Sequence, residues 1–389
     1  MKTIRRILVT GDILRPNDNR PGNQNLNINW FYNLFEFFIK TTTPTVPLQK
    51  LLSETNSKAF DVELFYRLNG LEISVNNWAK LFDSSEVSKK AEEYFQDYFQ
   101  ETLVIGYELP KIFVTLMKKF DIDYIEFIIH PIRFVDDIFF GVLSSSESVM
   151  DRLKKYCLNV NLPYAIASMH KASISRFKDL SIGANSGLLV GQTEVDRSLI
   201  DKGRMVSLLD YRDEIALVKE NHDTVYFKPH PYAAKNKDLG DFLRKRDVRF
   251  VEENIYYLIC QPNIQGIFAI SSSVIEEAKY FGIEAKWFMG KNECMHLPVF
   301  GGYFNSQFWK DILSCYCDID NDVNIQIPEK ASRLRDNLGW YWGYNIFGSE
   351  KIYHDIARRN KEKLGLIHSI AEEFRIINLY RKWQAFRKK

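Results

Sequence analysis

The sequence predicts an α/β chain of two parallel-sheet domains with a helical C-terminal extension. Three observations predict it. Short apolar runs alternate with helical patterns through about residue 330, which is the signature of strand–helix units and parallel sheets. The 389 residues exceed what one ordinary core fills, so two domains of common size are expected. Beyond that point the periodicity is helical only.

In chain order, strands are expected at 7–10, 103–106, 124–129, 187–190, 224–227, 248–251, 267–270 and 285–288. Helical patterns lie between many of them, at 30–39, 86–99, 110–120, 147–158, 205–220, 239–245 and 274–281. The polar, small-residue stretch 173–186 marks the junction. It gives an N-terminal domain over 1–184, a C-terminal domain over 185–345 and a helical tail over 346–389. The tail region has helical patterns at 351–364 and 367–386, just after the aromatic cluster Trp340-Tyr341-Trp342.

Hydrophobic residues at 46% and charged residues at 26% describe a folded globular chain. Five scattered cysteines without a C-x-x-C pair indicate neither a zinc knuckle nor a disulfide framework. The N-terminal MKTIRRILVTGD lacks the apolar core of a signal peptide, and no stretch approaches the ~18 apolar residues of a membrane span. A reducing, cytoplasmic location is expected. Six basic and no acidic residues fall in 375–389, and removing those six from the net charge of +2 leaves −4 for the rest. The acidic body argues against nucleic-acid binding. The tail interleaves these bases with Ile376, Ile377, Leu379, Tyr380, Trp383 and Phe386. That pattern suits either a peripheral helix on an anionic membrane or a terminal helix packed on the body.

Three segments carry chemistry, and each directly follows an expected strand, where open α/β sheets bind ligands. The first runs Gly191-Gln192-Thr193-Glu194-Val195-Asp196-Arg197-Ser198. A carboxylate there can be nucleophile, base or helix cap, and from this segment alone capping by Asp196 or Ser198 is the plainer expectation. The second is Lys228-Pro229-His230-Pro231, in which two prolines hold an imidazole rigidly at the sheet edge, suited to a phosphate. The third is Ser271-Ser272-Ser273 at a helix start, with Glu276 and Glu277 in its first turn. Hydroxyls, N–H groups and the helix dipole make this an anion site, or simply a capped helix.

The series G-Q-x-E-x-D-x-S, K-P-H-P and S-S-x-x-x-x-E-A, over about 187–282, resembles the C-terminal domain of retaining β-Kdo transferases (Kdo is 3-deoxy-manno-octulosonic acid). Those enzymes act in capsule, lipopolysaccharide and lipid-linked polysaccharide synthesis. The chain departs from the pattern at Val195, where capsule enzymes carry an acidic residue, and at Glu276, where they carry an aromatic one. The resemblance implies two Rossmann-like domains in a GT-B-like architecture and CMP-Kdo as donor, with no cofactor or metal. It implies Asp196 as catalytic carboxylate, with Gln192 and Ser198 in support and Glu194 as its competitor. It further implies His230, Ser272 and Ser273 on the CMP phosphate and Glu277 on the ribose; Lys228 and Ser271 are further donors that the departing phosphate could use. Kdo is a ketose, so departure of CMP leaves an oxocarbenium-like carbon. A carboxylate can trap that carbon before a second displacement restores the configuration.

The first domain is then expected to hold the glycan acceptor, which in this family can be lipid-linked. Asp12, Arg15 and Arg20 flank or enter a polar loop after the first strand, with six asparagines in 13–29. His130 and Arg133 follow another strand and are further acceptor-side candidates. Asp136-Asp137 makes a poor metal motif. Rival expectations are an inverting CMP-sialic-acid-type transferase and a non-catalytic component of glycan assembly.

Overall fold

In a computed structural model, residues 4–16, 24–53, 59–177, 180–230, 233, 236–290, 297–331 and 333–338 are described. Arg20, Pro231, the Trp340–Trp342 cluster and the tail with its basic stretch lie outside them. The first half runs β1 (Arg6–Gly11), α1 (Gln24–Thr42), β2 (Leu48–Lys50), α2 (Val62–Leu68), α3 (Val75–Phe82), α4 (Lys89–Phe99), β3 (Thr102–Tyr107), α5 (Lys111–Lys119), β4 (Tyr124–Ile129), β5 (Phe140–Ser144), α6 (Glu147–Leu153) and α7 (Leu162–Phe177). The second half runs β6 (Ser186–Val190), β7 (Ile200–Asp201), β8 (Arg204–Met205), α8 (Arg212–Asn221), β9 (Thr224–Lys228), α9 (Lys237–Arg244), β10 (Val248–Phe250), α10 (Ile255–Ile259), β11 (Ile264–Ala269), α11 (Val274–Ala278), β12 (Glu284–Trp287) and α12 (Ser306–Leu313).

Two five-stranded sheets result. The first has the order β2-β1-β3-β4-β5 and is parallel except for β5. The second, β10-β9-β6-β11-β12, is parallel throughout. Both are doubly wound orders in which the chain leaves its first strand in two directions. The crevice opens at that reversal, beyond the carboxyl ends of the two strands that flank it. In the first sheet those strands are β1 and β3, and in the second they are β6 and β11. The buried runs of β3, β4 and β6 fit sheets covered on both faces.

The many aromatics are core. On α1, Ile28, Phe31, Phe35, Phe38 and Ile39 are buried at helical spacing. Phe31 and Phe35 meet Phe127 of β4 and Phe140 of β5, with ring centroids 5.3 to 6.1 Å apart. The expected second domain ran to residue 345, yet α12 returns to the first sheet. There Trp309 stacks on Phe127 at 5.9 Å and lies 5.1 Å from Phe35. The segment 297–313 therefore closes the first layer, because Phe308 and Trp309 need an apolar face and α1 supplies one.

The expected helix at 205–220 breaks into strand β8, a single 3-10 turn at Leu208–Asp210 and α8. Ser207 caps that turn and Asp210 reaches back to the Ser207 N–H, which fixes the break. Among the described residues no helix is long and apolar enough to cross a membrane.

Candidate functional site

At the reversal of the second sheet, Gly191 follows the last residue of β6. A Cβ there would lie 3.0 Å from Phe227 Cζ and 3.3 Å from the His230 nitrogen, so a side chain at this point would need its neighbours to give by a few tenths of an ångström. The next residue joins the two central strands. Gln192 Oε1 accepts from the Ser271 N–H at 2.9 Å, and its Nε2 donates to Ser271 Oγ at 3.0 Å and Ser198 Oγ at 3.2 Å. Ser271 Oγ in turn donates to the Ser198 carbonyl at 2.5 Å. The loop 192–198 is thereby drawn across the mouth of the crevice.

Asp196 caps the single 3-10 turn Arg197–Leu199, its Oδ1 accepting from the Ser198 N–H at 2.8 Å. The capping expectation holds, and it leaves Asp196 half-buried at the mouth of the crevice. Glu194, its competitor, is exposed.

At the end of β9, Lys228 is buried with 6% exposure, and its Nζ donates to the Pro229 carbonyl at 3.4 Å. His230 is pushed down to about 4, chiefly by burial. Lys228 and Arg133 push the same way, and the nearby Asp196 carboxylate opposes them. The imidazole is therefore neutral at pH 7.

After β11, Ser271 is buried while Ser272 and Ser273 keep partial exposure. The Ser272 carbonyl accepts from Trp287 Nε1 at 3.2 Å, and the Ser273 carbonyl from the Glu276 N–H at 2.9 Å. With five residues, α11 is too short for much of a dipole. Glu277 is engaged within the protein. It is 1% exposed, and its carboxylate accepts from the Arg133 N–H at 2.7 Å and from the Tyr256 hydroxyl at 3.0 Å. It ties the loop after β4 to the second sheet. Glu276 is also buried, in an ion pair with Lys279.

The reversal of the first sheet presents two carboxylates. Asp12, after β1, is fully buried and accepts from Trp78 Nε1 at 3.0 Å, while its Oδ1 has no hydrogen-bond partner. Burial pushes it up to about 6, against the lowering fields of Arg197 and Arg15. Glu108, after β3, was missed from the sequence. Its backbone is left-handed at φ 52°, a conformation uncommon for a side-chain-bearing residue and frequent at functional sites. Enclosure raises its carboxyl, with Asp196 acting in the same direction and Arg197, Arg133 and Arg15 in the other. The two sheets thus bring Glu108 and Asp196 within electrostatic reach, among three guanidinium groups.

The remaining acceptor-side candidates divide. Arg15 Nη2 donates to the Val195 carbonyl at 2.9 Å, so it meets the loop that follows β6. Arg133 lies close enough to lower both His130 and His230. His130 is a structural histidine instead. It is 2% exposed, its Nε2 lies 2.8 Å from the Leu297 carbonyl, and its Nδ1 accepts from the Ile132 N–H at 3.1 Å. With both ring nitrogens bound to backbone and burial holding it at about 4, it is neutral and has none left for a sugar. Asp137 likewise accepts from the Ile138 and Leu334 N–H groups, each at 2.8 Å.

No family model and no curated protein matches the chain. Among solved structures it is similar to the Thermosulfurimonas dismutans KpsC beta Kdo 2,7 transferase, at 11% identity and a TM-score of 0.36, over 79% of this chain and 90% of that one. It is also similar to the beta Kdo 2,4 transferase of the same KpsC, at 13% identity and a TM-score of 0.30, over 56% of this chain and 84% of that one. A dipicolinate synthase chain from Bacillus halodurans follows at 10% identity and a TM-score of 0.19, over 81% of this chain and 98% of that one. Scores at this level carry none of the functional reading, which rests on the residues of the cleft.

Proposed function

We propose that the chain is a retaining glycosyltransferase that moves Kdo from CMP-β-Kdo to a glycan acceptor in bacterial surface polysaccharide synthesis, with its two sheets in a GT-B-like arrangement. One observation carries the reading. Residues that follow strands of both doubly wound sheets act on one another electrostatically: Glu108 feels Asp196, Arg197, Arg133 and Arg15, and His230 feels Asp196, Lys228 and Arg133. Glycosyl transfer by double displacement needs such a set: a nucleophilic carboxylate, a second carboxylate for the acceptor proton, and cations for a leaving phosphate.

In this reading the bond from the ketosyl carbon to the CMP phosphate breaks with its electron pair on the phosphate. Asp196 Oδ2 closes on the same carbon, while Oδ1 stays on the Ser198 N–H. Lys228 and Arg133 meet the leaving charge, and His230 takes up a proton as that charge arrives. An acceptor hydroxyl then displaces Asp196 from the opposite face. Glu108 accepts its proton, a task for which a raised carboxyl pKa is suited. The buried Asp12 holds Trp78 in place and lies within the fields of Arg197 and Arg15.

Glu108 also favours a second reading. A base on the acceptor side is all that a single inverting displacement requires, and CMP-sialic-acid-type transfer would use Glu108 with Asp196 in support. Incubation with CMP-Kdo and, separately, with CMP-sialic acid, each with a panel of synthetic acceptors and followed by NMR of the new linkage, tests both. A β-Kdo product supports retention, an inverted product supports the second reading, and no transfer to any acceptor refutes the donor assignment.

A further inference from the structure

Asp196 belongs by sequence to the second domain, but its flanking residues are seated in the first. The Val195 carbonyl accepts from Arg15 Nη2 at 2.9 Å, and the Val195 side chain packs against the first domain's core with Ile200 and Met205. Arg197 lies over the Phe82 ring of α3 at 5.3 Å. The hairpin β7–β8 that follows docks on the same helix, where the Gly203 N–H donates to Asp83 Oδ2 at 3.3 Å. Arg15 itself is held over the Trp78 ring at 5.3 Å, and Trp78 is anchored to Asp12 at 3.0 Å.

We infer that Arg15 is a positioning residue for Asp196, acting through the Val195 carbonyl, rather than a contact to the acceptor. The inference rests on the assignment of Asp196 as nucleophile. The Val195 carbonyl shares one rigid peptide plane with the Asp196 nitrogen and Cα, so fixing the carbonyl fixes where the carboxylate starts. Gln192 and Ser271 hold the loop to the second sheet, and Arg15 holds it to the first. Val195, the departure from the family's acidic residue, becomes intelligible as an apolar foot in the first core.

Hydrogen exchange on the free protein tests this without any substrate. Arg15→Ala should speed exchange in the peptide 193–199 while β6, at 186–190, stays protected, and Arg15→Lys should restore part of the protection. Unchanged exchange in 193–199, or faster exchange spread evenly over both sheets, would overturn the inference. With CMP-Kdo as donor, Arg15→Ala should lower kcat by about ten- to a hundredfold, the scale of a nucleophile displaced by an ångström, and leave donor KM unchanged. A rise in acceptor KM alone would instead make Arg15 a direct acceptor contact. Absence of transfer by the wild type would refute the function while leaving the exchange result to decide the role of Arg15.

Discussion

Gln192 and Ser271 grip one another across β6 and β11, the amide oxygen taking the serine N–H at 2.9 Å and the amide nitrogen giving to the serine hydroxyl at 3.0 Å. A glutamine side chain thereby does what a ladder hydrogen bond does between strands, at the point where the strands have ended. Gln192→Ala leaves the N–H of the buried Ser271 unpaired, at a cost of about 1–3 kcal/mol. Denaturant titration should show that loss, and turnover should fall further than stability explains, because the loop bearing Asp196 loses its inner anchor. Unchanged turnover would separate this pair from the chemistry.

His230 supplies a proton-linkage prediction. Burial lowers its folded pKa to about 4, so with the cleft empty it is neutral near pH 6. A bound phosphate favours the charged form and raises that pKa. Binding of a CMP phosphodiester, whose phosphate does not titrate near pH 6, should therefore take up protons there, seen as a buffer-dependent enthalpy in calorimetry, and His230→Ala should abolish the uptake. His230→Ala should also cost two to three orders of magnitude in kcat, about the scale of one lost transition-state donor. Binding without proton uptake would place the phosphate elsewhere.

The sequence made much of this cleft legible and missed parts for identifiable reasons. Strands β4, β6 and β9 stand within a residue of where their apolar runs put them, and the loops after β6, β9 and β11 were found because each follows such a run. Glu108 was missed because a lone acid after a strand has no motif. Its left-handed backbone is a property of the folded chain, although its place at the end of β3 could have drawn notice. The partners of Glu277 were illegible for the converse reason: a motif position carries no sign of the tyrosine hydroxyl and the distant N–H that its carboxylate accepts from. The return of α12 was invisible because Phe308 and Trp309 show that a helix is apolar, not which sheet it covers.

Asp12 makes stability depend on pH in a stated direction. Its folded pKa is raised to about 6 from 3.8, so the folded state prefers the protonated acid. That preference is fully expressed below the unfolded pKa and disappears as pH climbs through 6. Wild-type stability should fall relative to Asp12→Asn between pH 4 and 6 by at most about 3 kcal/mol, at 1.36 kcal/mol per unit, and the difference should then level off. Chemical denaturation of both proteins across this range measures it. Parallel curves would mean that Asp12 is ionised throughout.

The charge on the departing phosphate is met in this reading by Lys228, Arg133 and His230. Transfer should then persist in excess EDTA. Loss of activity on chelation, with recovery on adding Mn²⁺ or Mg²⁺, would show that the phosphate site has been misassigned.

The central claim is that Asp196 forms a covalent bond to the sugar, and trapping that adduct tests it most directly. Wild-type protein incubated with CMP-Kdo, without acceptor, should gain one Kdo by intact-protein mass spectrometry, and digestion should map it to the peptide 192–200. Asp196→Asn should keep the fold and CMP binding and carry no adduct. An adduct on another peptide, or an inverted product with no adduct at all, would contradict the account.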